Sequence, residues 1–326
     1  MSAFISGQGC NISPISDQLG DQMRYDLFDR VMQFGFRILL WVERVYNRHT
    51  KFPRCRAAGT RIIRLMVTTL KVAPPRLRCK NDIIIEYHPK IMGDAVVREL
   101  LLSGEFEPLQ SRLIGELLPP AGVFLDIGAN IGYFSILASK IVGSQGTVYA
   151  FEPVPTTYEC LLRNLVLNNA TNVIAMNDAC FSNSGEMKMS CRDDSGKSCL
   201  SRGDSHDSDV TVSVTVTTLD RFLETRKLKR VDLIKIDTEG ADVEVIVGAK
   251  QLIRKFRPPI LLEIDHLDRF SVEIEDLLAF MNQFNYSTHE ERNQYSKDLV
   301  CIPNQTSTRI TRLATNRLKS MLVPHS

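Results

Sequence analysis

Residues 123–132 read VFLDIGANIG: an apolar run ends in Asp126, then come Gly128, Asn130 and Gly132, and helical spacing of apolar residues begins at Tyr133. This is the pattern of a buried strand, a glycine turn and a helix start. Such a turn lets backbone N–H groups approach a ligand where side chains would block it. Further on, the run TVYAF (147–151) ends in Glu152. An acid at the end of the second strand of a βαβ unit is placed to accept both hydroxyls of a ribose. The site is thus expected to take an adenosine-bearing cofactor. A dinucleotide site wants G-x-G-x-x-G so that a pyrophosphate can sit on the helix N-terminus. Here Ala129-Asn130 replaces the middle glycine and Asp126 precedes the turn. A carboxylate opposes a pyrophosphate and favours a cation. The electrostatics therefore favour S-adenosylmethionine, which carries an ammonium and a sulfonium and no phosphate, over NAD. The competing reading is an ordinary strand-to-helix turn with a solvated aspartate, and the spacing to Glu152 weighs against it.

The elements that must position these residues alternate. Strands are expected at 82–87, 122–127, 147–151, 172–177, 210–220, 231–237, 259–265 and 298–303, with helices at 24–72 (broken near Lys51–Pro53), 91–118, 133–142, 155–169, 221–228 (capped by Asp220), 241–255, 271–284 and 306–322. Ser182–Asp209, rich in Ser, Asp and Gly, reads as a loop or hairpin excursion. Alternation of this kind means a mostly parallel sheet covered by helices on both faces. Hydrophobic residues make up 44% and charged residues 24% of the chain, as in ordinary globular proteins. The charge is uneven: residues 1–80 hold fourteen Lys and Arg against five Asp and Glu, a net of +9, which leaves −7 over the rest. This divides the chain into a basic helical extension (1–80, its first ~20 residues polar and read as disordered), a catalytic body (81–304) and a basic tail (305–326). The arm is a candidate contact for a carrier protein or a membrane surface; nucleic acid is not expected, because no aromatic-basic interleaving accompanies the charge. Val31–Val45 is too short to span a bilayer and reads as one amphipathic face. Eight scattered cysteines without a C-x-x-C pair, and the lack of a secretory signal, point to a reducing cytoplasm and away from a disulfide framework.

FLDIGANIGYFS, VYAFEP, VTTLD and LIKIDTEGADVEVIVGA together resemble the FkbM family of S-adenosylmethionine-dependent methyltransferases, over roughly residues 80–303. The resemblance implies the class I methyltransferase (Rossmann-like) fold, a mostly parallel seven-stranded sheet with one antiparallel strand near its edge. It implies O-methyl transfer to a hydroxyl of a glycan or natural product.

In open parallel sheets the ligand sits at the carboxyl ends of the strands, and Asp126, Glu152, Asp178, Asp237 and Glu263 all fall there. Asp126 with Gly128, Asn130 and Gly132 is expected to hold the methionine part of the cofactor, and Glu152 the ribose. The resemblance implies that Asn177 or Asp178 reaches the adenine edge. Phe151 and Phe181 pack either on the adenine or in the core, and Glu107 of GEFEP is a further candidate closing over the cofactor. A hydroxyl nucleophile must shed a proton, which calls for a base within hydrogen-bond reach. The candidates are Asp237 first, then Glu239, then Lys235, which shares a strand face with Asp237 and orients or neutralises an acid. His266 has a suitable pKa for the same task. Asp237, Glu263 and Asp265 have the chemistry to hold Mg²⁺ with waters, but the sequence lacks the Asp-Asn pair of metal-dependent catechol-type enzymes, so a metal-free reaction is expected. A non-catalytic scaffold and an RNA methyltransferase are the competing functions.

Overall fold

The computed structural model describes residues 76–87, 96, 99–100, 103–191, 199–200, 210–265, 273–292, 297–304 and 323–324. The basic extension up to residue 75, His266 and the 305–322 tail lie outside the described residues.

A short hairpin, β1 (Arg76–Arg78) and β2 (Ile84–Glu86), precedes the main body. The sheet that carries the site contains β3 (Val123–Ile127), β4 (Thr147–Phe151), β5 (Val173–Met176), β10 (Leu233–Ile236), β11 (Ile260–Glu263), β12 (Tyr286–Arg292) and β13 (Lys297–Pro303). Their spatial order is β12-β13-β11-β10-β3-β4-β5, with a two-residue strand β14 (Val323–Pro324) added outside β12. The five strands from β11 to β5 are parallel, and β13 runs antiparallel between β11 and β12. This is the class I methyltransferase arrangement. Helices α1 (Pro108–Leu117), α2 (Tyr133–Val142), α3 (Pro155–Leu167), α4 (Leu219–Arg226), α5 (Asp242–Val247), α6 (Lys250–Phe256) and α7 (Ile274–Gln283) accompany it. The central strands read as near-continuous apolar runs because helices cover both faces: every residue of β10 is buried, as are Phe124, Leu125, Asp126 and Ile127 of β3.

A second sheet of β6 (Asp178–Cys180), β7 (Gly185–Cys191), β8 (Cys199–Leu200) and β9 (Val210–Thr217) stands in the order β6-β9-β7-β8. The alternating VTVSVTVT run therefore joins this smaller sheet rather than the main one. Part of the 182–209 excursion is the β7–β8 hairpin.

Three further differences from the sequence expectations bear on how the elements are held. Strand β12 is not anticipated, since YSTHEER lacks an apolar alternation; it forms because β13 offers seven registered partners. The helix expected over 241–255 breaks at Gly248 into α5 and α6. A Cβ there would lie 2.1 Å from the Phe181 carbonyl oxygen, so the chain must pass close and turn. Asp220 does not cap α4. Thr218 does, its hydroxyl accepting from the Arg221 amide at 3.0 Å, while the Asp220 carboxylate accepts from the Gln251 and Leu252 amides and so caps α6.

Candidate active site

The glycine turn after β3 folds onto its neighbours rather than opening its amides outward. The Gly128 and Ala129 amides donate to the Phe151 carbonyl (3.0 and 2.8 Å), and the Gly132 amide to Ala129 (2.9 Å). The Asn130 amide donates to Glu152 Oε2 (3.0 Å), and the Ile131 amide to the Asn130 side chain (2.7 Å). All five N–H groups from Gly128 to Gly132 are thus consumed inside the protein. None of these amides is left free for the donor set that a phosphate cradle requires. Gly128 is needed for another reason. At φ +83° its missing Cβ would fall 1.8 Å from the Asp237 carbonyl oxygen, so the turn packs directly on the end of β10. Asn164 on α3, fully buried, fixes the turn from the other side by donating to the carbonyls of Ile131 (2.8 Å) and Glu86 (2.9 Å).

Asp126 is fully buried. Its Oδ2 accepts from the Ser135 hydroxyl on α2, and its Oδ1 meets no hydrogen-bond partner. Burial raises its pKa, while Lys235 and the Ser135 hydrogen bond pull it back down. Glu152 accepts two amides, Asn130 on Oε2 and Val154 on Oε1 (2.9 Å). Burial outweighs these bonds and pushes its carboxyl up to about 7. Each of its oxygens keeps a second lone pair for a ligand hydroxyl.

Strand register builds the rest of the site. Lys235 pairs with Asp126 across β10 and β3, and Glu263 pairs with Asp298 across β11 and β13. Ile236 pairs with Leu262, so Asp237 and Glu263 lie side by side one step further on. Register partners and residues two apart share a face, so Asp126, Lys235, Asp237, Glu263 and Asp298 form one row across four strands. The Lys235 ammonium lies 2.7 Å from Asp237 Oδ2 and 4.7 Å from the centre of the Phe134 ring. Its burial opposes the charge, but Asp237, Glu107 and Asp126 outweigh it and hold the lysine protonated. Lys235 is thus placed as a counter-charge to these acids.

Glu107 precedes α1 in a left-handed conformation (φ 39°). Burial lifts its pKa, Lys235 lowers it, and Asp237 and Asp298 raise it further. Sequence-distant GEFEP is thus brought to the β10 end. The Asp237–Gly240 turn is held by Asp242, which accepts the Thr238 amide (2.9 Å) and the Gly240 amide (3.0 Å) and whose pKa burial raises to about 6. Glu239 occupies this turn at φ 55°. The Glu263 pKa is raised by burial first and then by Asp237, Asp242 and Glu239.

Asp178 begins β6 in the smaller sheet, and burial raises its pKa. Its neighbour Asn177 is committed to structure, donating to the carbonyls of Glu152 (2.8 Å) and Pro153 (3.1 Å). Phe151 and Phe181 are core residues of the two sheets, not an open aromatic surface. Sequence reasoning missed Ser135, Asn164, Asp242 and Asp298. Ser135 could have been found as a hydroxyl in the first turn of the helix that follows the glycine turn; the other three act through contacts set by the fold. Among the described residues no three His, Cys, Asp or Glu are arranged to hold a metal ion.

The sequence family described as the methyltransferase FkbM domain matches residues 126–288, from Asp126 into β12 and across half of the chain. The chain belongs to the FkbM methyltransferase family. Among curated relatives, the methyltransferase sdnD of Sordaria araneosa is 31% identical over 41% of this chain and 62% of its own length. Methyltransferase 1 of Beauveria bassiana is 29% identical over 40% of this chain and 59% of its own. The hexuronic acid methyltransferase AglP of Haloferax volcanii is 25% identical over 58% and 73%. The chain spans about three fifths of the length of the two fungal relatives. The FkbM match leaves β13, and with it Asp298, outside its bounds. No helix among the described residues is long and apolar enough to cross a membrane.

Proposed function

We propose that this chain is an S-adenosylmethionine-dependent O-methyltransferase acting on a hydroxyl of a sugar or natural product. One observation carries the choice of cofactor: the glycine turn keeps no free amide for a phosphate, while Asp126 Oδ1, buried beside it, lacks a donor. A ligand that brings an N–H donor and positive charge fits that pair, and an ammonium is such a group. Glu152, with a spare lone pair on each oxygen, would take the ribose hydroxyls.

When bound, S-adenosylmethionine supplies a methyl group on a sulfonium, already a good leaving group. The protein's task is then alignment and proton removal, and alignment alone can recover about 7–11 kcal/mol of a barrier. Asp237, one quarter exposed and anchored by Lys235, accepts the proton of the acceptor hydroxyl as the oxygen bonds to carbon. Glu239 is the second candidate for that proton. Lys235, kept charged, holds the Asp237 carboxylate ionised and in place. A sugar as acceptor is supported by the relative named for a hexuronic acid, and methyl transfer by all three relatives.

Calorimetry with S-adenosylmethionine, followed by transfer of a labelled methyl group to a panel of glycans and polyketides, tests this reading. Binding should survive Asp237→Ala while turnover is lost. Absence of cofactor binding by the unaltered chain refutes it. Removing residues 1–75 would show whether the basic arm recruits a carrier protein or a membrane surface.

A further inference from the structure

We propose that the groove between α4 and α6 is a second binding site, built for a phosphate-bearing anion of the diphosphate class. The inference is independent of the methyl-transfer reading above.

The first support is shape and place. Leu223 of α4 and Leu228 just after it are buried and line a groove of about 540 Å³, within the usual size of small-molecule sites. The chain runs from Lys229 into β10 and from Lys255 into β11. The groove therefore adjoins the strand ends opposite to those that carry Asp237 and Glu263.

The second support is unanswered charge. Lys227 and Lys229 come from the α4 segment and Arg254 and Lys255 from α6, and Glu224 is the acid among the lining residues. Four exposed cations thus stand against one acid, a surplus of three. Elsewhere cations meet acids: Arg76 and Arg163 meet Glu86, Lys80 meets Glu105, and Arg112 meets Glu116. Even within the run KLKR, Arg230 is held by both oxygens of Asp232. Among the described residues none of the four groove cations forms an ion pair. Cations in the last turn of a helix complement its dipole, which accounts for Arg254 and Lys255. It does not account for Lys229, which lies past the end of α4, or for the want of partnering acids. Like charges gathered in this way repel one another, and a bound anion relieves the repulsion.

The third support is the kind of anion. The Arg254 guanidinium lies 5.2 Å from the centre of the Phe284 ring and the Lys255 ammonium 4.9 Å from that of Phe256. Aromatic faces thus steady two of the cations without neutralising them. A phosphoryl group brings about two negative charges and three acceptor oxygens to one point. A diphosphate therefore matches the surplus of three as a single carboxylate does not, and Leu223 and Leu228 suit the organic group attached to it.

The experiment is titration calorimetry on the full chain at low ionic strength, with sodium pyrophosphate and, as a polycarboxylate of comparable charge, sodium citrate. Lys227→Glu and Arg254→Glu each reverse one cation of the groove. Lys188→Glu, at an exposed position on β7, makes the same change in net charge elsewhere. Circular dichroism and urea midpoints verify folding, and Lys227→Gln or Arg254→Gln replaces a reversal that does not fold. The wild type should bind one pyrophosphate per chain at least about tenfold tighter than citrate. Each groove variant should lose at least about tenfold in affinity, and Lys188→Glu less than about twofold. Flotation with phosphatidylcholine vesicles, with and without phosphatidic acid, distinguishes the sources of the phosphate. Retention on the phosphatidic acid vesicles that both groove variants abolish assigns a lipid headgroup; pyrophosphate binding without such retention assigns a soluble diphosphate. Absence of pyrophosphate binding, or an equal loss in Lys188→Glu and the groove variants, would overturn the proposal. Citrate binding as tightly as pyrophosphate would overturn it too, and would point to an acidic peptide instead.

Discussion

Gly128→Ala is the sharpest perturbation of the site, because two separable penalties meet there. The backbone stands at φ +83°, which costs a residue with a side chain about 1–3 kcal/mol. The new Cβ would also lie 1.8 Å from the Asp237 carbonyl oxygen and 2.8 Å from its carbon. Separating them to van der Waals contact requires the turn or the end of β10 to move by more than about 1 Å, and such overpacking adds about 1–3 kcal/mol. The total is a destabilisation of about 2–6 kcal/mol, read by urea unfolding. Gly143→Ala separates the terms: φ is +66°, but nothing lies within 4 Å of the added carbon, so only the strain of about 1–3 kcal/mol applies. Function should separate the two variants further. A displacement near 1 Å at Asp237 and the Asp126 turn should lower kcat/KM by about 100-fold or more, whereas Gly143→Ala should leave it unchanged. If the two variants lose equal stability and Gly128→Ala keeps full activity and cofactor affinity, the close packing of the turn on β10 is not what positions the site.

Gly115 on α1 is the opposite case: exposed, helical and with no atom within 4 Å of an added Cβ, so Gly115→Ala should stabilise the protein by about 0.5–1 kcal/mol in the same assay. Asp242→Ala strands the Thr238 and Gly240 amides; unfolding should show a loss of about 2–4 kcal/mol, and retention of both stability and activity would mean that the turn holds itself. Glu152 gives a pH dependence with a definite sign. The folded chain keeps its proton up to about 7 and the unfolded chain releases it near 4.5. Stability should therefore fall as pH rises from about 4.5 to 7, by up to about 3 kcal/mol from this group. Urea midpoints at pH 5 and pH 8 in the wild type and Glu152→Gln check this: the variant should lose most of the slope, and an identical slope in both would remove Glu152 as its source.

The order of elements and the row of strand-end acids were legible in the sequence because both depend on local pattern. Apolar runs bounded by Asp126, Glu152, Asp237 and Glu263 reveal buried parallel strands, and the topology then places their ends together. What was not legible depended on partners distant in the chain. Strand β12 is defined by its pairing with β13, not by its own composition. Asp220 looks like the cap of the helix that follows it, yet it serves α6 some thirty residues away. The glycine turn is legible only in part: its spacing correctly required close backbone approach, and the structure shows that the backbone approaching Gly128 is that of Asp237. The partners of its five amides are likewise set by the fold and carry no local sequence signal.

Those amides and the raised carboxyls together imply that cofactor binding is coupled to proton release. Asp126, Glu152, Asp242, Glu107 and Glu263 are all shifted upward by burial, so the ligand-free site holds protons that solvent-exposed carboxylates would have lost. A group with a pKa of about 7, as Glu152 has, carries about half a proton at pH 7. An arriving ammonium and sulfonium favour the ionised forms, and a ribose hydroxyl donates best to an ionised Glu152. Binding should then release up to about half a proton from Glu152 at pH 7, and the other raised carboxyls add to it in the same direction. Calorimetric titration at pH 7 in two buffers of different ionisation enthalpy measures that number directly: the apparent binding enthalpy should differ between buffers in the wild type and differ much less in Glu152→Gln. The release should fade by pH 9, where Glu152 is already ionised in the free protein. Identical apparent enthalpies in both buffers at pH 7 would show that the buried carboxyls do not lose protons when the ligand binds, and would refute the coupling.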